Sequence, residues 1–209
     1  EDIQEHMLNF LENHDEQRIA SDFFAGDALK GRPMLLVSAL MNTNPMMIYF
    51  GQELGERGMD SEGFSGEDGR TTIFDYWTVD TIRRWRNGGK FDGALLTDAE
   101  KKLRDYYAQV LDMSETEPAF KEGLFWDLMY VNAHLDRQYA FLRSDKKKTY
   151  LVVANFSEEP VTTEIRIPAD AVRALSPELD KVKNNLAHDV VVSVKVKPWD
   201  GVVKKIKLQ

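Results

Sequence analysis

The sequence contains no cysteine, no long apolar run and no excess of positive charge, and each absence excludes a class of protein or site. Without cysteine, disulfides, zinc–thiolate sites and thiol catalysis are excluded. The compartment stays open, because many secreted bacterial proteins also lack cysteine. Of the possible locations, a periplasmic or extracellular one is favoured. No apolar run approaches the roughly 20 residues that a membrane-spanning helix needs. The net charge of −8 argues against a nucleic-acid partner, since binding to the phosphate backbone needs clustered Lys and Arg.

Two short apolar runs flank a predicted helix near the start of the chain. Residues 7–11 and 45–50 end in polar residues, as strands buried on both faces of a parallel sheet do. Residues 33–41 have the pattern of a helix with proline near its first turn. The order strand, helix, strand is typical of a parallel α/β unit. Residues 54–97 are glycine-rich and mostly irregular, which indicates a functional loop.

A second helix and a β-rich region follow this loop. The helix is predicted from residue 99 to about 113, with Thr97 or Asp98 as its N-cap. The boundary between two domains is predicted to separate residues 1–118 from residues 119–209. The second part contains six short strand-like segments, which predict an antiparallel β-sandwich with a solvated turn at residues 146–148. These segments are 124–131, 139–143, 149–156, 161–167, 190–196 and 202–208.

Polar side chains follow both of the early predicted strands. Glu12, His14 and Asp15 come directly after the first strand, and Glu53 follows the second. Ligand groups gather at the carboxyl ends of parallel strands. Carboxylates at one such edge suit a reaction that develops positive charge, such as the oxocarbenium ion of glycoside hydrolysis. By itself, an Asn-His-Asp sequence more often forms a loop that caps its own backbone.

Two motifs in this region resemble conserved segments of the α-amylase clan of glycoside hydrolases. Residues 10–15 (FLENHD) resemble the clan's fourth conserved region, at the end of barrel strand seven. Residues 45–53 (PMMIYFGQE) resemble its eighth-strand segment, and the order and separation of the two motifs also match. Residues 70–77 (RTTIFDYW) resemble the loop that follows, and residues 118–123 resemble the junction with a C-terminal sandwich. The implied fold is the C-terminal part of a (β/α)8 TIM barrel, from strand seven to helix eight, followed by an antiparallel β-sandwich.

The resemblance implies roles for four residues. Asp15 matches the clan's third acidic residue, which binds sugar hydroxyls and stabilises the transition state. His14 matches the histidine that hydrogen-bonds the same sugar. Asp68 and Arg70 occupy positions where some members of the clan hold the next sugar. We therefore expect Asp15 to be a catalytic residue and the other three to bind substrate.

Five further side chains have two interpretations each. Glu12, Arg18 and Glu53 either contact substrate or form salt bridges and caps that shape the mouth of the barrel. Trp77 and Trp85 either stack on sugar rings or are buried under the loop, because tryptophan packs readily. The sequence leaves both pairs of alternatives open.

The chain departs from the clan in what it lacks. The clan's nucleophile and general acid follow strands four and five, upstream of strand seven, and retaining hydrolysis needs both of them about 5 Å apart. The expectation is therefore a C-terminal fragment of a retaining enzyme that hydrolyses or transfers α-glucans, with the fragment inactive by itself and the glucan bound by the intact parent. Calcium is common in the clan, but its usual ligands lie upstream, so no metal ligand and no cofactor is expected in this chain.

A stand-alone carbohydrate-binding or interaction module without catalysis is the second hypothesis. Such a module usually presents two or three exposed aromatic side chains on one face. The candidates in the β-rich part are Trp126, Tyr130, Tyr139, Tyr150 and Trp199, which do not line up in the sequence. A metal site at residues 12–16 is disfavoured, because adjacent residues on one loop cannot all face one ion. A serine hydrolase is disfavoured because the sequence has no Gly-x-Ser-x-Gly motif.

Overall fold

The structure is a computed structural model that describes residues 3, 6–60, 67–74, 79–175 and 187–208. Within these residues none of the helices has the length and the apolar composition needed to cross a membrane. The α-helices are α1 (Gly31–Leu40), α2 (Asp80–Arg86), α3 (Asp98–Thr116), α4 (Pro118–Lys121) and α5 (Ala169–Leu175). The strands are β1 (Asn9–Phe10), β2 (Met46–Met47), β3 (Leu124–Asp127), β4 (Gln138–Ser144), β5 (Thr149–Asn155), β6 (Val161–Ile167), β7 (Val190–Val196) and β8 (Asp200–Ile206).

The chain divides into two compact units. The first consists of Glu1–Ser38 and Asn44–Leu111, and the second consists of Ala39–Thr43 and Asp112–Gln209. The first unit contains β1, β2, α2 and most of α1 and α3. The second unit contains all six of the later strands.

The first unit contains the predicted parallel strand–helix–strand arrangement. Strand β1 pairs in parallel with β2, with Asn9 opposite Met46 and Phe10 opposite Met47. The side chain of Asn9 donates to the backbone oxygen of Ser38 in α1 over 3.1 Å, which ties the strand to the helix between the two strands. The parallel unit is therefore confirmed, although each strand is only two residues long.

The expected burial of the first strand on both faces is wrong for this chain. Met7, Leu8 and Phe10 are 57%, 50% and 44% exposed. The physical reason is that, among the described residues, β1 and β2 form a sheet of only two strands. A sheet this narrow cannot cover both faces of its own apolar side chains.

Helix α3 begins where the sequence predicts and extends three residues beyond the predicted end. The Thr97 hydroxyl accepts the Glu100 N–H over 3.2 Å, and the Glu100 carboxylate accepts the Thr97 N–H over 2.7 Å. This reciprocal pair is a capping box, which satisfies two of the free N–H groups at the start of the helix. Leu103, Tyr107 and Val110 form the buried face of the helix.

The second unit contains two antiparallel sheets that contribute to one hydrophobic core. One sheet has the strand order β3-β4-β5-β8, and the other consists of β6 and β7. All six predicted β segments are strands, with ends that differ by at most four residues. The turn at residues 146–148 connects β4 to β5 as predicted. Buried core residues from four strands are Ala140, Leu142, Leu151, Val153, Ile165, Ile167, Val194 and Val196.

A buried arginine organises the chain next to these sheets. Arg143 on β4 is 1% exposed and donates to three backbone oxygens: Met41 (2.7 Å), Ala119 (3.1 Å) and Phe120 (2.8 Å). Two of these oxygens belong to α4 and the third directly follows α1, where helix ends leave carbonyl groups unsatisfied. Burial lowers the pKa of Arg143 to about 10, so the side chain is still a cation at neutral pH.

Replacing Arg143 with methionine tests this arrangement. We expect Arg143→Met to lower the free energy of unfolding by about 3 kcal/mol, because three buried oxygens lose a charged donor while the apolar volume is retained. Urea denaturation followed by circular dichroism measures the change. Arg137→Met is the control, since the Arg137 side chain is 68% exposed. Equal stability of the two variants would contradict the role given to Arg143.

Candidate functional site

A buried ion pair lies directly after β1. Glu12 is 2% exposed and Arg18 is fully buried. One Glu12 oxygen accepts Nη1 of Arg18 over 2.8 Å, and the other accepts the backbone N–H of Ile19 over 2.6 Å. This is the salt-bridge alternative of the two considered for these residues. It closes residues 13–17 into a loop whose two ends are held together.

The remaining donors of Arg18 reach two other segments of the first unit. Nη2 donates to the backbone oxygen of Phe50 over 2.8 Å, and Nε and Nη2 donate to the Thr71 hydroxyl over 3.0 and 2.5 Å. The guanidinium also lies 4.3 Å from the centre of the Tyr49 ring, within the range of a cation–π contact. The backbone N–H of Arg18 donates to the backbone oxygen of Gly69 over 2.6 Å. One side chain therefore joins the loop after β1, the residues after β2, and the loop at residues 69–71.

Burial has the largest effect on the pKa of Glu12 and on that of Glu53. It raises the pKa of Glu12, although the Arg18 cation and the hydrogen bonds from Arg18 and Ile19 act in the opposite direction. Burial also raises the pKa of Glu53, against smaller lowering effects that include the charges of Arg104 and Arg18. Both carboxyl groups therefore take up a proton more readily than a carboxyl group in water.

The loop closed by this pair exposes His14 and Asp15. The side-chain oxygen of Asn13 accepts the backbone N–H groups of Asp15 (2.8 Å) and Glu16 (2.9 Å). Asn13 therefore provides the backbone cap that the sequence suggested for this loop. The side chains of His14 and Asp15 are 49% and 73% exposed, with Nε2 of His14 3.5 Å from Oδ2 of Asp15. Among the described residues, His14 is the one group that contacts the Asp15 carboxylate.

Asp68 and Arg70 are paired with each other. Nε and Nη2 of Arg70 lie 3.1 and 2.8 Å from Oδ2 of Asp68, and the Arg70 backbone N–H donates to Oδ1 over 3.1 Å. Gly69 between them has a φ of +80°, and a side-chain carbon added there would lie 2.8 Å from the Ser21 hydroxyl. Glycine is therefore needed at position 69 both for its backbone conformation and for the close approach of Ser21.

The structure brings some of the predicted site residues together and not others. Glu12 and Arg18 form one cluster, His14 and Asp15 project from the loop that this cluster closes, and Asp68 and Arg70 pair in the adjoining segment. The sequence analysis missed Thr71, which no local pattern marks as a partner of Arg18.

A further buried carboxylate was also missed. Glu56 is 5% exposed and accepts two backbone N–H groups, those of Arg57 and Gly58, over 2.9 Å each. Its second oxygen accepts the Thr81 hydroxyl over 2.5 Å. No group of three or more His, Asp and Glu side chains within the described part of the chain is arranged to hold a metal ion.

The aromatic candidates are distributed over several places. Trp77 lies outside the described residues, and Trp85 is half-buried with its ring 5.5 Å from that of Phe91. In the second unit Tyr150 packs on Phe120, with ring centres 5.1 Å apart. Tyr139 is half-buried, with its hydroxyl 3.7 Å from the sulfur of Met41.

One pair of aromatic candidates in the β-rich part does come together. The Trp126 ring N–H donates to the Tyr130 hydroxyl over 3.3 Å, and Tyr130 is 58% exposed. Trp126 itself packs against the hydrophobic core and is only half-exposed. Trp199 lies in the turn before β8 with a φ of +47°. The described aromatic side chains of these strands therefore show no shared exposed face of the kind that a binding module uses.

Removing one partner of the Glu12–Arg18 pair tests its structural role. We expect Glu12→Ala to lower the free energy of unfolding by about 3–5 kcal/mol, because it leaves a buried cation without its counter-charge. Thermal and urea denaturation measure this change. The control is Asp22→Ala, which breaks the exposed Arg57–Asp22 pair, for which we expect roughly 0–1 kcal/mol. Similar losses in both variants would contradict the role of the buried pair.

The chain is similar to known proteins in its structure, whereas the sequence comparisons find no match. No protein-family model matches the sequence, and no curated protein is similar to it in sequence. A debranching enzyme from Nostoc punctiforme, in a crystal soaked with acarbose, matches with a TM-score of 0.55 and 18% identity over 97% of this chain and 34% of that chain. Cyclic α-maltosyl-(1→6)-maltose hydrolase from Arthrobacter globiformis matches with a TM-score of 0.52 and 18% identity over 96% of this chain and 35% of that chain. Isomaltulose synthase from a Klebsiella species matches with a TM-score of 0.52 and 20% identity over 96% of this chain and 43% of that chain.

These solved structures are all α-amylase-family glycoside hydrolases. The chain spans between 34% and 43% of their lengths. At identities of 18–20% the likeness establishes the fold and not the activity. The resemblance inferred from residues 10–15 and 45–53 is confirmed at this level, and the chain has the fold of one part of an α-amylase-family glycoside hydrolase.

Proposed function

We propose that this chain is the C-terminal portion of a retaining, α-glucan-active glycoside hydrolase of the α-amylase family. The observation that carries the proposal is the structural match, which includes 96–97% of this chain and a minority of each enzyme it resembles. In this assignment residues 1–118 are the part of the catalytic barrel from strand seven to helix eight. Residues 119–209 are the C-terminal β-sandwich.

The exposed apolar residues in and just before β1 support a barrel that continues beyond this chain. Met7, Leu8 and Phe10 are about half-exposed, and in the part that the structure describes β1 pairs with β2 alone. Exposing such side chains opposes folding by roughly 1.5–3 kcal/mol each relative to full burial. Further barrel strands beside β1, with their helices, would cover these side chains and pair the free strand edge.

In the proposed enzyme Asp15 is the stabilising carboxylate. Its side chain is 73% exposed and contacts only His14 among the described residues, so both of its oxygens can reach sugar hydroxyls. A carboxylate beside the sugar favours the positive charge that develops at the anomeric carbon in the transition state. His14 donates to the same sugar. Asn13 contributes by fixing the backbone of this loop.

The other predicted residues act at a greater distance from the reacting bond. Glu12 and Arg18 position the loop that carries Asp15, since they hold its two ends together. Asp68 and Arg70 present a paired donor and acceptor to a neighbouring sugar. Glu53, which is half-buried, shapes the same edge of the site.

The complete reaction needs groups from the parent enzyme. Retention requires a nucleophilic carboxylate and a general acid about 5 Å apart on either side of the glycosidic bond. In the family both groups follow earlier barrel strands. The 209-residue chain therefore provides one stabilising carboxylate and lacks activity of its own.

The role of Asp15 is tested in the intact gene product. We expect Asp15→Asn to lower kcat by roughly 10²–10³-fold or more, because the substitution removes a charge directed at the transition state. Hydrolysis of a maltooligosaccharide measures the rate. Glu16→Gln is the matched control, since Glu16 is the next exposed acid on the same loop. Near-normal turnover of Asp15→Asn would show that the assignment of Asp15 is wrong.

The assignment as a portion of an enzyme is tested by comparing two preparations. The intact gene product and the 209-residue chain are weighed by mass spectrometry and assayed side by side on starch. We expect a longer, active gene product that releases the α-anomer and a chain that is inert. A gene product of the same mass as this chain, which binds glucan without cleaving it, would instead support the binding-module hypothesis.

A further inference from the structure

A second cleft in the first unit is lined by residues other than those of the candidate site. It has a volume of about 310 Å³ and is lined on one side by Trp85 and Phe91 and on the other by Lys101, Arg104 and Asp105 of α3. None of the seven residues proposed for the Asp15 site lines it. Its volume is at the lower end of the range for small-molecule pockets, which begins at about 300 Å³.

The aromatic wall is held in place by the backbone around it. Phe91 is 57% exposed and has a φ of +55°, a conformation that is costly for a bulky residue. Its N–H donates to the oxygen of Arg86 at the end of α2 over 3.0 Å, and the N–H of Gly93 donates to the oxygen of Trp85 over 3.1 Å. The rings of Trp85 and Phe91 meet edge to face at 5.5 Å. The fold therefore fixes an exposed ring in a strained position, an arrangement that is frequent at ligand sites.

The α3 wall of the cleft carries three exposed charged side chains. Arg104 and Asp105 lie three and four residues after Lys101 on α3, so each of them lies beside Lys101 on the helix surface. All three are exposed, and their side chains form no hydrogen bond or ion pair with the rest of the described chain. Asp92 completes the rim. Its Oδ1 accepts Asn87 and the N–H of Ala94 over 2.8 and 3.0 Å, which leaves Oδ2 without a donor among the described residues.

The charges of this cleft balance. The negative charges of Asp92 and Asp105 equal in number the positive charges of Lys101 and Arg104. The hydrogen bond from Asn87, and to a smaller extent that from Ala94, lowers the pKa of Asp92. The Asp92 carboxyl group is therefore ionised at neutral pH. An anionic or cationic ligand would be attracted by one pair and repelled by the other. A neutral ligand with many hydroxyl groups uses both pairs, because its hydroxyls donate to the carboxylates and accept from the cations.

We propose that this cleft binds a single sugar residue of a glucan chain, with the less polar face of the sugar ring against Phe91 and its hydroxyl groups against the α3 wall. Aromatic rings supply a rigid apolar surface, and the charged rim fixes the orientation of the ligand. The identity of the sugar as glucose rests on the proposed function. The cleft holds the glucan at a position separate from the Asp15 site.

The test is titration calorimetry of maltoheptaose into the 209-residue chain. We expect Phe91→Ala to weaken binding by about tenfold and Phe91→Tyr to retain it, because tyrosine keeps the ring. Asp105→Ala provides a second, independent variant on the opposite wall and is expected to weaken binding as well. The matched control is Phe24→Ala, since Phe24 is 60% exposed and does not line the cleft. Thermal unfolding of each variant verifies that the fold is retained.

Three results would overturn the inference. Binding by Phe91→Ala that equals wild type would show that the ring makes no contact with the ligand, and an absence of binding at millimolar maltoheptaose would show that the cleft takes no sugar. If Asp15→Asn abolishes binding while Phe91→Ala does not, the sugar lies at the candidate site. The proposed function then stands and this inference fails.

Discussion

The burial of the Arg18 guanidinium constrains the whole of the candidate site. A cation removed from water is stable only when its charge is neutralised and its N–H groups are all used. These requirements place Glu12, Phe50 and Thr71 around the guanidinium, although the three residues are separated by up to 59 positions in the chain. The ends of β1 and β2 and the loop at residues 69–71 therefore adopt one arrangement together. Any large displacement of one segment would leave a buried charge or donor unsatisfied.

The buried Arg18 cation also determines how four consecutive side chains, those of residues 12–15, are directed. Glu12 is directed inward to Arg18, Asn13 binds the backbone of its own loop, and His14 and Asp15 are directed outward. An acid that has to stay buried and paired is poorly suited to contact a substrate that binds and dissociates. An acid with free oxygens on a fixed loop is well suited to it. In the proposed function, the rigidity needed for catalysis and the exposure needed for binding are thus supplied by neighbouring side chains.

Much of the fold was predictable from the sequence because its signals are local. The capping box at Thr97 and Glu100 determines the start of α3, and alternating apolar residues determine the six later strands. Helix α5 was missed because seven residues between two strands give too short a pattern. The orientation of the acids at residues 12–15 was not predictable either. It depends on Thr71, a partner distant in sequence, and no periodicity records that contact.

Two exposed phenylalanines show why burial is harder to infer than secondary structure. Phe10 and Phe91 are 44% and 57% exposed, although the sequence predicts a buried strand for Phe10 and places Phe91 in an irregular loop. Phe10 lies on a short strand of a sheet that has two strands among the described residues, so few neighbouring side chains cover its ring. Phe91 is held outward by its own loop. Before its ring could turn inward, the left-handed backbone conformation would have to change and the hydrogen bond to α2 would have to break. In the proposed function Phe10 becomes buried when further barrel strands pair with β1. Phe91 stays exposed as long as its loop keeps this conformation, which is why we propose a ligand for Phe91 and packing for Phe10.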